Sequence, residues 1–167
     1  CKKIMCSIVG FYRLDLESSI KDNYIENSFD LMRNRGPNNE SYVNLDSSCT
    51  LGHQRLAIID VDEEANQPMN CDNFTIVYNG EGYNYIELRQ ELIDEGVDFE
   101  TSSDTEVLLK GYIKHGASFL KKINGMFSFS IYDEVEKKLV LVRDRFGVKP
   151  LHYMIEKNIF YFSSEIK

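Results

Sequence analysis

Apolar and polar residues in the first third of the chain follow patterns that predict a strand, a helix and a second strand. Residues 4–12 are mostly apolar and predict a buried strand that closes at Gly10 or just after it. Along residues 18–34, apolar side chains recur on one stripe at helical spacing, which predicts a helix capped by a serine at its start. Residues 35–38 break that helix, and residues 51–60 predict the next strand.

The middle of the chain combines a short strand pattern with two helix patterns. Residues 74–78 predict a strand, and the dipeptide Asn79-Gly80 that follows predicts a turn. A helix is expected over residues 84–95, ended by Gly96. A capping box of Ser103 and Glu106 predicts a second helix over residues 104–115.

The last part of the chain predicts strands joined as hairpins. They are expected over residues 127–133 with 139–143, and over residues 151–155 with 159–163. Antiparallel strand runs with helices inserted in two groups indicate an α+β layered fold rather than a doubly wound one. At 167 residues, without a linker or repeat, the whole chain is expected to form one domain.

Composition and charge exclude several classes of partner. The formal net charge is −8, and no basic run is longer than two residues, so we expect no nucleic-acid partner. No apolar run reaches membrane-spanning length, and no signal-peptide core follows Lys2-Lys3, so we expect no membrane partner. The four cysteines, at positions 1, 6, 49 and 71, fit no zinc-ligand spacing, so we expect no metal site. A two-disulfide framework is the alternative, but a domain with this much core-forming sequence favours unpaired thiols in a reducing cytoplasm.

Cys6 is the first candidate for chemistry. It is either a buried strand cysteine or a nucleophile, and a thiol needs a base to take its proton near neutral pH. The three histidines, His53, His115 and His152, are each expected to be structural. The α-amine of Cys6 would serve as the base if Cys6 were the first residue of the chain.

Three further sites admit both a structural and a functional interpretation. Asn79-Gly80 is either a hairpin turn or a pair of donors forming an oxyanion hole. Arg55, in an apolar strand, is either a structural ion pair or the holder of a substrate carboxylate. Asp104, at a helix start, is either a favourable charge at the helix dipole or a ligand for an ammonium group. Residues 143–147 are expected to form a solvated turn without chemistry.

A set of sequence strings then carries a resemblance that covers nearly the whole chain. The strings are MCSIVGF (5–11), RGPN (35–38), LGHQRLAIID (51–60), QPM (67–69), VYNGEGYNYIELR (77–89), SDTEVLL (103–109), GMFSFSIYD (125–133), RDRFGVKPLHY (143–153) and SSEIK (163–167). By their number, order and spacing, the chain resembles the glutaminase domain of class II glutamine amidotransferases, in the asparagine synthetase-like branch.

The resemblance implies a fold, a reaction and a set of site residues. The fold is the four-layer αββα N-terminal-nucleophile fold, with two antiparallel sheets between helical layers. The reaction is hydrolysis of L-glutamine to glutamate and ammonia. The residues matching the catalytic groups are Cys6 as nucleophile, with Asn79 and Gly80 as oxyanion hole. The residues matching the glutamine site are Arg55, Leu56, Ile59, Asn79, Gly80, Glu81 and Asp104.

The resemblance also implies a partner. Ammonia would pass to an ATP-dependent synthetase domain or subunit, and no Ser-Gly-Gly-type ATP-pyrophosphatase loop occurs in these 167 residues. This domain would need no cofactor, whereas ATP and Mg²⁺ would be used by the synthetase domain. Aspartate is the expected acceptor of the ammonia, and a homodimer is one option for the oligomeric state.

The chain departs from the family pattern at several positions. Residues 1–4 precede Met5, whereas the family needs its cysteine at the free N-terminus, so we expect removal of a leader or a true start at Met5. Asn38 stands where the family usually has aspartate, and Gly82 where it usually has a larger apolar residue. Two rival hypotheses are a domain that binds glutamine without turnover and a self-processing, protease-like relative on the same fold.

Overall fold

Two antiparallel sheets form the centre of the protein, whose computed structural model describes residues 5–36, 39–56 and 66–166. The strands of the first sheet are β1 (Ser7–Arg13), β2 (Asn39–Leu45), β3 (Cys49–Arg55), β8 (His152–Glu156) and β9 (Ile159–Ser163). Their order across the sheet is β2-β3-β1-β9-β8. The second sheet consists of β4 (Met69–Cys71), β5 (Phe74–Gly82), β6 (Gly125–Asp133) and β7 (Lys138–Arg143), in that order.

Helices cover the outer face of each sheet. They are α1 (Tyr24–Met32), α2 (Tyr85–Asp94), α3 (Asp104–His115) and α4 (Ala117–Leu120). On β1, Val9 and Phe11 face outward and pack against Phe29 of α1 and its neighbours. The second sheet packs in the same way against α2, α3 and α4.

The faces of the two sheets that meet form a third apolar layer. Ile8 and Leu51 of the first sheet pack there against Val77 and Tyr132 of the second, and all four side chains are fully buried. Ile8 and Val9 point to opposite faces because side chains alternate along a strand. These layers confirm the predicted αββα architecture.

Helix α1 begins later than its apolar pattern predicts. The prediction of a serine cap near residue 18 is wrong, because the N-cap is Asn23, with φ 59°. Ser18 is used instead in a turn, where its Oγ–H and backbone N–H both donate to the Asp15 carboxylate. The local hydrogen bonds of that turn therefore replace the first turns of the predicted helix.

The predicted turn at Asn79-Gly80 is also wrong. Strand β5 continues to Gly82, with Asn79 opposite Ser128 and Gly80 opposite Phe127 in the register with β6. The long antiparallel partner thus overrides the turn preference of the dipeptide. In the same way β1 passes Gly10 and ends at Arg13, because β3 and β9 pair with it on both sides.

The other local signals are mostly confirmed. Gly96 and Gly116 follow α2 and α3 with φ of 84° and 62°. The Ser103 side chain caps α3 by accepting the Thr105 N–H, but the second half of the predicted capping box is absent. The Glu106 carboxylate accepts N–H groups from Glu100 and Thr101 instead.

Both predicted hairpins form, whereas three other elements carry no signal strong enough to predict them. The hairpins are β6–β7 and β8–β9. Strands β2 and β4 lie at sheet edges, and α4 is a single turn. Among the described residues, no helix has the length and apolar character needed to cross a membrane.

Candidate active site

A cavity of about 250 Å³ lies where the start of β1, the end of β3 and the end of β5 come together. Its lining includes Cys6, Arg55, Leu56, Asn79, Gly80, Glu81 and Asp104. The structure thus brings together every site residue expected from the sequence except Ile59, which lies outside the described residues. Asn38 and residues 1–4 lie outside them as well.

Cys6 immediately precedes β1, and its thiol is held by the residue after β3. The Leu56 N–H donates to Sγ at 3.2 Å, and the thiol lies 3.5 Å from the Leu56 carbonyl oxygen. Burial raises the pKa of the Cys6 thiol, while the Leu56 N–H and the charges of Lys149 and Arg55 oppose that rise. The thiol is therefore protonated near neutral pH and needs a proton acceptor before it can attack.

The cavity offers no histidine as that acceptor within the described part of the chain. His53 is fully buried in β3, and its Nε2–H donates to the Tyr78 carbonyl at 3.1 Å. Burial lowers the pKa of His53 to about 3. His115 pairs with Glu95 on the helical side, and His152 lies on β8, so the expectation of structural roles agrees with all three positions.

Asn79 presents an unused donor at this cavity. Its side chain is only 1% exposed, and its Nδ2 has no hydrogen-bond partner among the described residues. A buried donor without an acceptor costs about 1–3 kcal/mol. An oxygen atom of a ligand in the cavity would remove that cost.

The cavity carries a cation and an anion on different elements. Arg55 is buried at the end of β3, and its Nη1 donates to the Asn66 side chain at 2.6 Å. Asp104 is buried at the start of α3, where its Oδ2 accepts the Tyr78 hydroxyl at 3.0 Å and the Gly82 N–H at 2.9 Å. Burial raises the pKa of Asp104, and these two donors oppose the rise.

Gly82 leaves ordinary space beside that carboxylate. A Cβ added to Gly82 would lie 3.8 Å from the Asp104 Oδ2, a normal van der Waals distance. The N–H that Gly82 donates to Asp104 belongs to the backbone, so it would be present with any residue except proline. The glycine therefore leaves room beside the Asp104 carboxylate and keeps the hydrogen bond to it.

The prediction of a solvated turn at residues 143–147 is wrong for one of them. The Asp144 carboxylate is buried and accepts the N–H groups of Phe127, Phe146, Val148 and Lys149. Burial raises the pKa of Asp144, but the four N–H donors together lower it by more, so the net shift of the pKa is downward. Sequence alone could not identify this carboxylate, because the groups that it binds are backbone N–H groups brought close by the fold.

Lys149 is a cavity residue that the sequence analysis does not identify. Its side chain is only 7% exposed and lines the same cavity as Cys6. Its position in the string after Arg143 gives no sign of burial, since lysine is usually exposed. Within the described ranges, no group of three potential ligands could hold a metal ion, and Cys6, Cys49 and Cys71 are free thiols.

The fold and the cavity define a glutamine amidotransferase domain, and the chain belongs to that family, whose profile matches residues 5–167. The relatives that it resembles in sequence include proteins named asparagine synthetase. It is 41% identical to "Asparagine synthetase [glutamine-hydrolyzing] 3" of Bacillus subtilis (strain 168), over 98% of this chain and 27% of that protein. It is 40% identical to "Putative asparagine synthetase [glutamine-hydrolyzing] 2" of Methanocaldococcus jannaschii, over 98% of this chain and 34% of that protein.

A solved structure shares the fold. Glutamine phosphoribosylpyrophosphate amidotransferase from B. subtilis, complexed with ADP and GMP, superposes with a TM-score of 0.61 at 23% identity. The match covers 94% of this chain and 35% of that one. It confirms the predicted N-terminal-nucleophile fold. The chain spans about a third or less of the length of the proteins that it matches.

Proposed function

We propose that this domain hydrolyses L-glutamine to L-glutamate and ammonia, with Cys6 as the nucleophile. The proposal rests on Asn79 Nδ2, a donor without a partner among the described residues, in the cavity that also contains the Cys6 thiol. Attack on an amide carbonyl needs a nucleophile for the carbon atom and a hydrogen-bond donor for the oxygen atom. The cavity contains both groups.

The charges of the cavity suit the two ends of an amino acid. The Arg55 guanidinium would hold the α-carboxylate of glutamine, because guanidinium groups bind carboxylates with two parallel hydrogen bonds. The carboxylates of Asp104 and Glu81 would accept hydrogen bonds from the α-ammonium group of glutamine. Leu56, and Ile59 by the family resemblance, would contact the aliphatic part of the side chain.

The first half of the reaction forms a thioester. The α-amine of Cys6 takes the thiol proton, and Sγ attacks the side-chain carbonyl carbon of glutamine. The oxygen of the tetrahedral intermediate becomes an anion, which accepts hydrogen bonds from Asn79 Nδ2 and the Gly80 N–H. The α-ammonium group of Cys6 then returns its proton to the leaving nitrogen of glutamine, the C–N bond breaks, and ammonia departs.

The second half releases glutamate. The α-amine takes a proton from water, and the resulting hydroxide attacks the thioester carbonyl over the same donors. The C–S bond breaks, the Cys6 thiolate regains a proton from the α-ammonium group of Cys6, and glutamate leaves. An α-amine has an ordinary pKa of about 7.7–8.0, so a substantial fraction is unprotonated near neutral pH.

This mechanism requires Cys6 to be the first residue. With Met5 attached, the nitrogen of Cys6 is an amide and cannot accept a proton. The active form is therefore one whose first residue is Cys6, reached either by removal of a leader or by loss of Met5 from a chain that starts there.

The ammonia would be used by an ATP-dependent synthetase domain. Support comes from the names of the relatives and from the fraction of their length that this domain covers. Aspartate is the proposed acceptor, with ATP and Mg²⁺ bound by the synthetase domain and no cofactor in this one. The free thiols of Cys6, Cys49 and Cys71 support a cytoplasmic location. A homodimer stays a prediction from the resemblance.

A form of the protein that starts at Cys6 provides the test. It should release glutamate from glutamine, and 6-diazo-5-oxo-L-norleucine should label it on Cys6, as mapped by peptide mass spectrometry. Cys6→Ala should lose both properties. Cys49→Ala is the matched control and should keep both, because Cys49 lies in the apolar layer between the sheets.

Two outcomes would contradict the proposal. Unchanged turnover in Cys6→Ala would exclude Cys6 as the nucleophile. Calorimetric binding of glutamine to the Cys6-initiated form without any release of glutamate would instead support a binding domain.

A further inference from the structure

Lys149 occupies a rigid position at the edge of the cavity. Its backbone N–H donates to the Asp144 carboxylate at 3.0 Å, and its carbonyl oxygen accepts a hydrogen bond from Arg143 Nε at 2.7 Å. Both backbone polar groups are thus fixed by the loop between β7 and β8. The side chain lines the cavity that contains Cys6.

The ammonium group of Lys149 forms no direct ion pair in the described part of the protein, although the charges of Glu81 and Asp144 act on it. Its hydrogen-bond partner there is the thioether sulfur of Met5, at 3.5 Å, which is a weak acceptor. Another largely buried lysine shows the usual arrangement, because Lys110 forms a 2.7 Å ion pair with Glu106. Burying an ammonium group without a directly bonded counter-charge is unfavourable, so the position of Lys149 favours a further anion that forms in the cavity.

Cys6 is the group that can supply this anion. The titratable and charged groups that face Lys149 or Cys6 are Tyr78 and Glu81 of β5, Arg55 of β3, Arg35 after α1, and Asp144 of the loop. Burial lowers the pKa of Lys149, whereas Glu81 and Cys6 raise it. Reciprocally, the Lys149 charge lowers the pKa of the Cys6 thiol against the effect of burial.

Removal of Met5 changes the surroundings of Lys149 in an informative way. The Met5 sulfur is the hydrogen-bond partner of the ammonium group, and Met5 is bonded directly to Cys6. Without Met5, the free α-amine of Cys6 stands at this point of the chain. A nearby cation disfavours protonation of an amine, so it keeps the amine available as a base.

We propose that Lys149 is a positioning residue for Cys6, whose ammonium group stabilises the Cys6 thiolate and keeps the adjacent α-amine unprotonated. The effect on the thiolate stands independently of glutamine turnover. The effect on the α-amine rests on the proposed function.

The first experiment measures the thiolate in the full chain. Wild type, Lys149→Met, Lys149→Gln and Lys149→Arg are treated with iodoacetamide over a range of pH, and alkylation of Cys6 is quantified by peptide mass spectrometry. Near neutral pH, the two neutral variants should alkylate Cys6 about tenfold more slowly, because loss of the cation reduces the thiolate fraction. Lys149→Arg should retain most of the wild-type rate.

The controls separate this effect from a general change in the fold. Lys122→Met removes an exposed lysine that pairs with Glu91, and it should leave Cys6 alkylation unchanged. Alkylation of Cys71 in the same samples reports on folding, since it should be equal in all variants. Equal alkylation of Cys6 in wild type and both neutral variants would overturn the proposal.

The second experiment uses the form that starts at Cys6. Lys149→Met should lower kcat for glutamine hydrolysis about tenfold or more, leave KM unchanged, and alter the pH profile of kcat. A raised KM with unchanged kcat would overturn the proposal, because it would place Lys149 on the substrate. If no form hydrolyses glutamine, the proposed function fails, while the alkylation profile still decides the role of Lys149.

Discussion

Gly80 shows how one residue can be required by its neighbours in the sheet. A Cβ added there would lie 2.4 Å from the Met126 carbonyl oxygen and 2.7 Å from the Phe127 Cα. These are backbone atoms of β6, so they cannot move aside as a flexible side chain could. From the sequence, this glycine is expected to allow a turn or the approach of a ligand. In the structure, it allows the backbones of β5 and β6 to approach each other closely.

Gly80→Ala should therefore affect both stability and the proposed reaction. The added methyl group would push β5 away from β6, lowering the free energy of unfolding by about 1–3 kcal/mol. Displacement of Asn79 and of the Gly80 N–H should reduce glutamate release by the Cys6-initiated form about 100-fold. Urea denaturation and a glutaminase assay measure the two effects.

Gly82→Ala is the matched control for that variant. Its nearest contacts would be at 3.8 Å, so its unfolding free energy should stay within about 0.5 kcal/mol of wild type. Equal stability and activity in the two variants would show that β5 can shift without cost.

Among single residues, the sequence could predict those that stand in strings with a chemical interpretation. Cys6, Arg55 and Asp104 belong to this group, and the structure places all three in one cavity. Lys149 could not be predicted, because its burial follows from how the β7–β8 loop folds over the residues that precede β1. The sequence next to a lysine does not record such a tertiary arrangement.

The loop between β7 and β8 is an element organised by one carboxylate. Asp144 Oδ1 accepts the N–H groups of Phe146 and Val148, and Oδ2 accepts those of Phe127 and Lys149. The loop consequently holds both the start of β6 and the backbone of Lys149. A loop without helix or strand hydrogen bonds thus gains a fixed shape.

Asp144→Asn tests this role, because an asparagine offers one acceptor oxygen in place of two. Two of the four N–H groups would lose their partner, so the free energy of unfolding should fall by about 2 kcal/mol or more. Alkylation of Cys6 near neutral pH should also slow down as Lys149 moves. Asp94→Asn, on the exposed face of α2, should change the stability by less than about 0.5 kcal/mol. Equal stability in both variants would contradict the role of Asp144.

At the scale of elements, local signals succeeded where no distant partner competes with them. Glycines end α2 and α3 as predicted, and both C-terminal hairpins form with short turns. Contacts distant in sequence contribute to two of the wrong predictions, the turn at Asn79-Gly80 and the serine cap near residue 18. Strand β6 extends β5 through Asn79-Gly80, and Ser18 donates to the Lys157 carbonyl of a distant hairpin as well as to Asp15.

In the whole molecule, the cavity depends on the contact between the two sheets. Arg55 belongs to the first sheet and Cys6 immediately precedes its strand β1, whereas Asn79 and Gly80 belong to the second sheet. His53 links the sheets directly, because its imidazole donates from β3 to the Tyr78 carbonyl of β5. Its other ring nitrogen, Nδ1, is buried without a partner among the described residues.

Stability should consequently fall in mild acid. An unfolded histidine has a pKa of about 6.5, whereas that of buried His53 is about 3. Between these values the unfolded chain binds a proton that the folded protein does not. Stability is therefore complete above about pH 6.5, and His53 lowers it by about 1.4 kcal/mol for each pH unit below.

Urea denaturation of wild type and His53→Gln at several pH values between about 5 and 7.5 measures this contribution. Most of this range lies above the ordinary pKa values of carboxylates, which limits their contribution to the slope. The variant should show a slope smaller by up to about 1.4 kcal/mol per pH unit. Identical slopes would show that His53 binds a proton in the folded protein as readily as in the unfolded chain.

The apolar layer between the sheets has a further consequence for catalysis. The layer acts as a spacer between the two sheets, and it consists of Ile8, Leu51, Val77 and Tyr132. Its thickness sets the distance between Sγ of Cys6 and Nδ2 of Asn79. A protein interior packs as densely as an organic crystal, so deleting one methylene from the spacer would change that separation. In the proposed reaction, substitutions deep inside the protein should therefore change the rate while leaving every group that lines the cavity untouched.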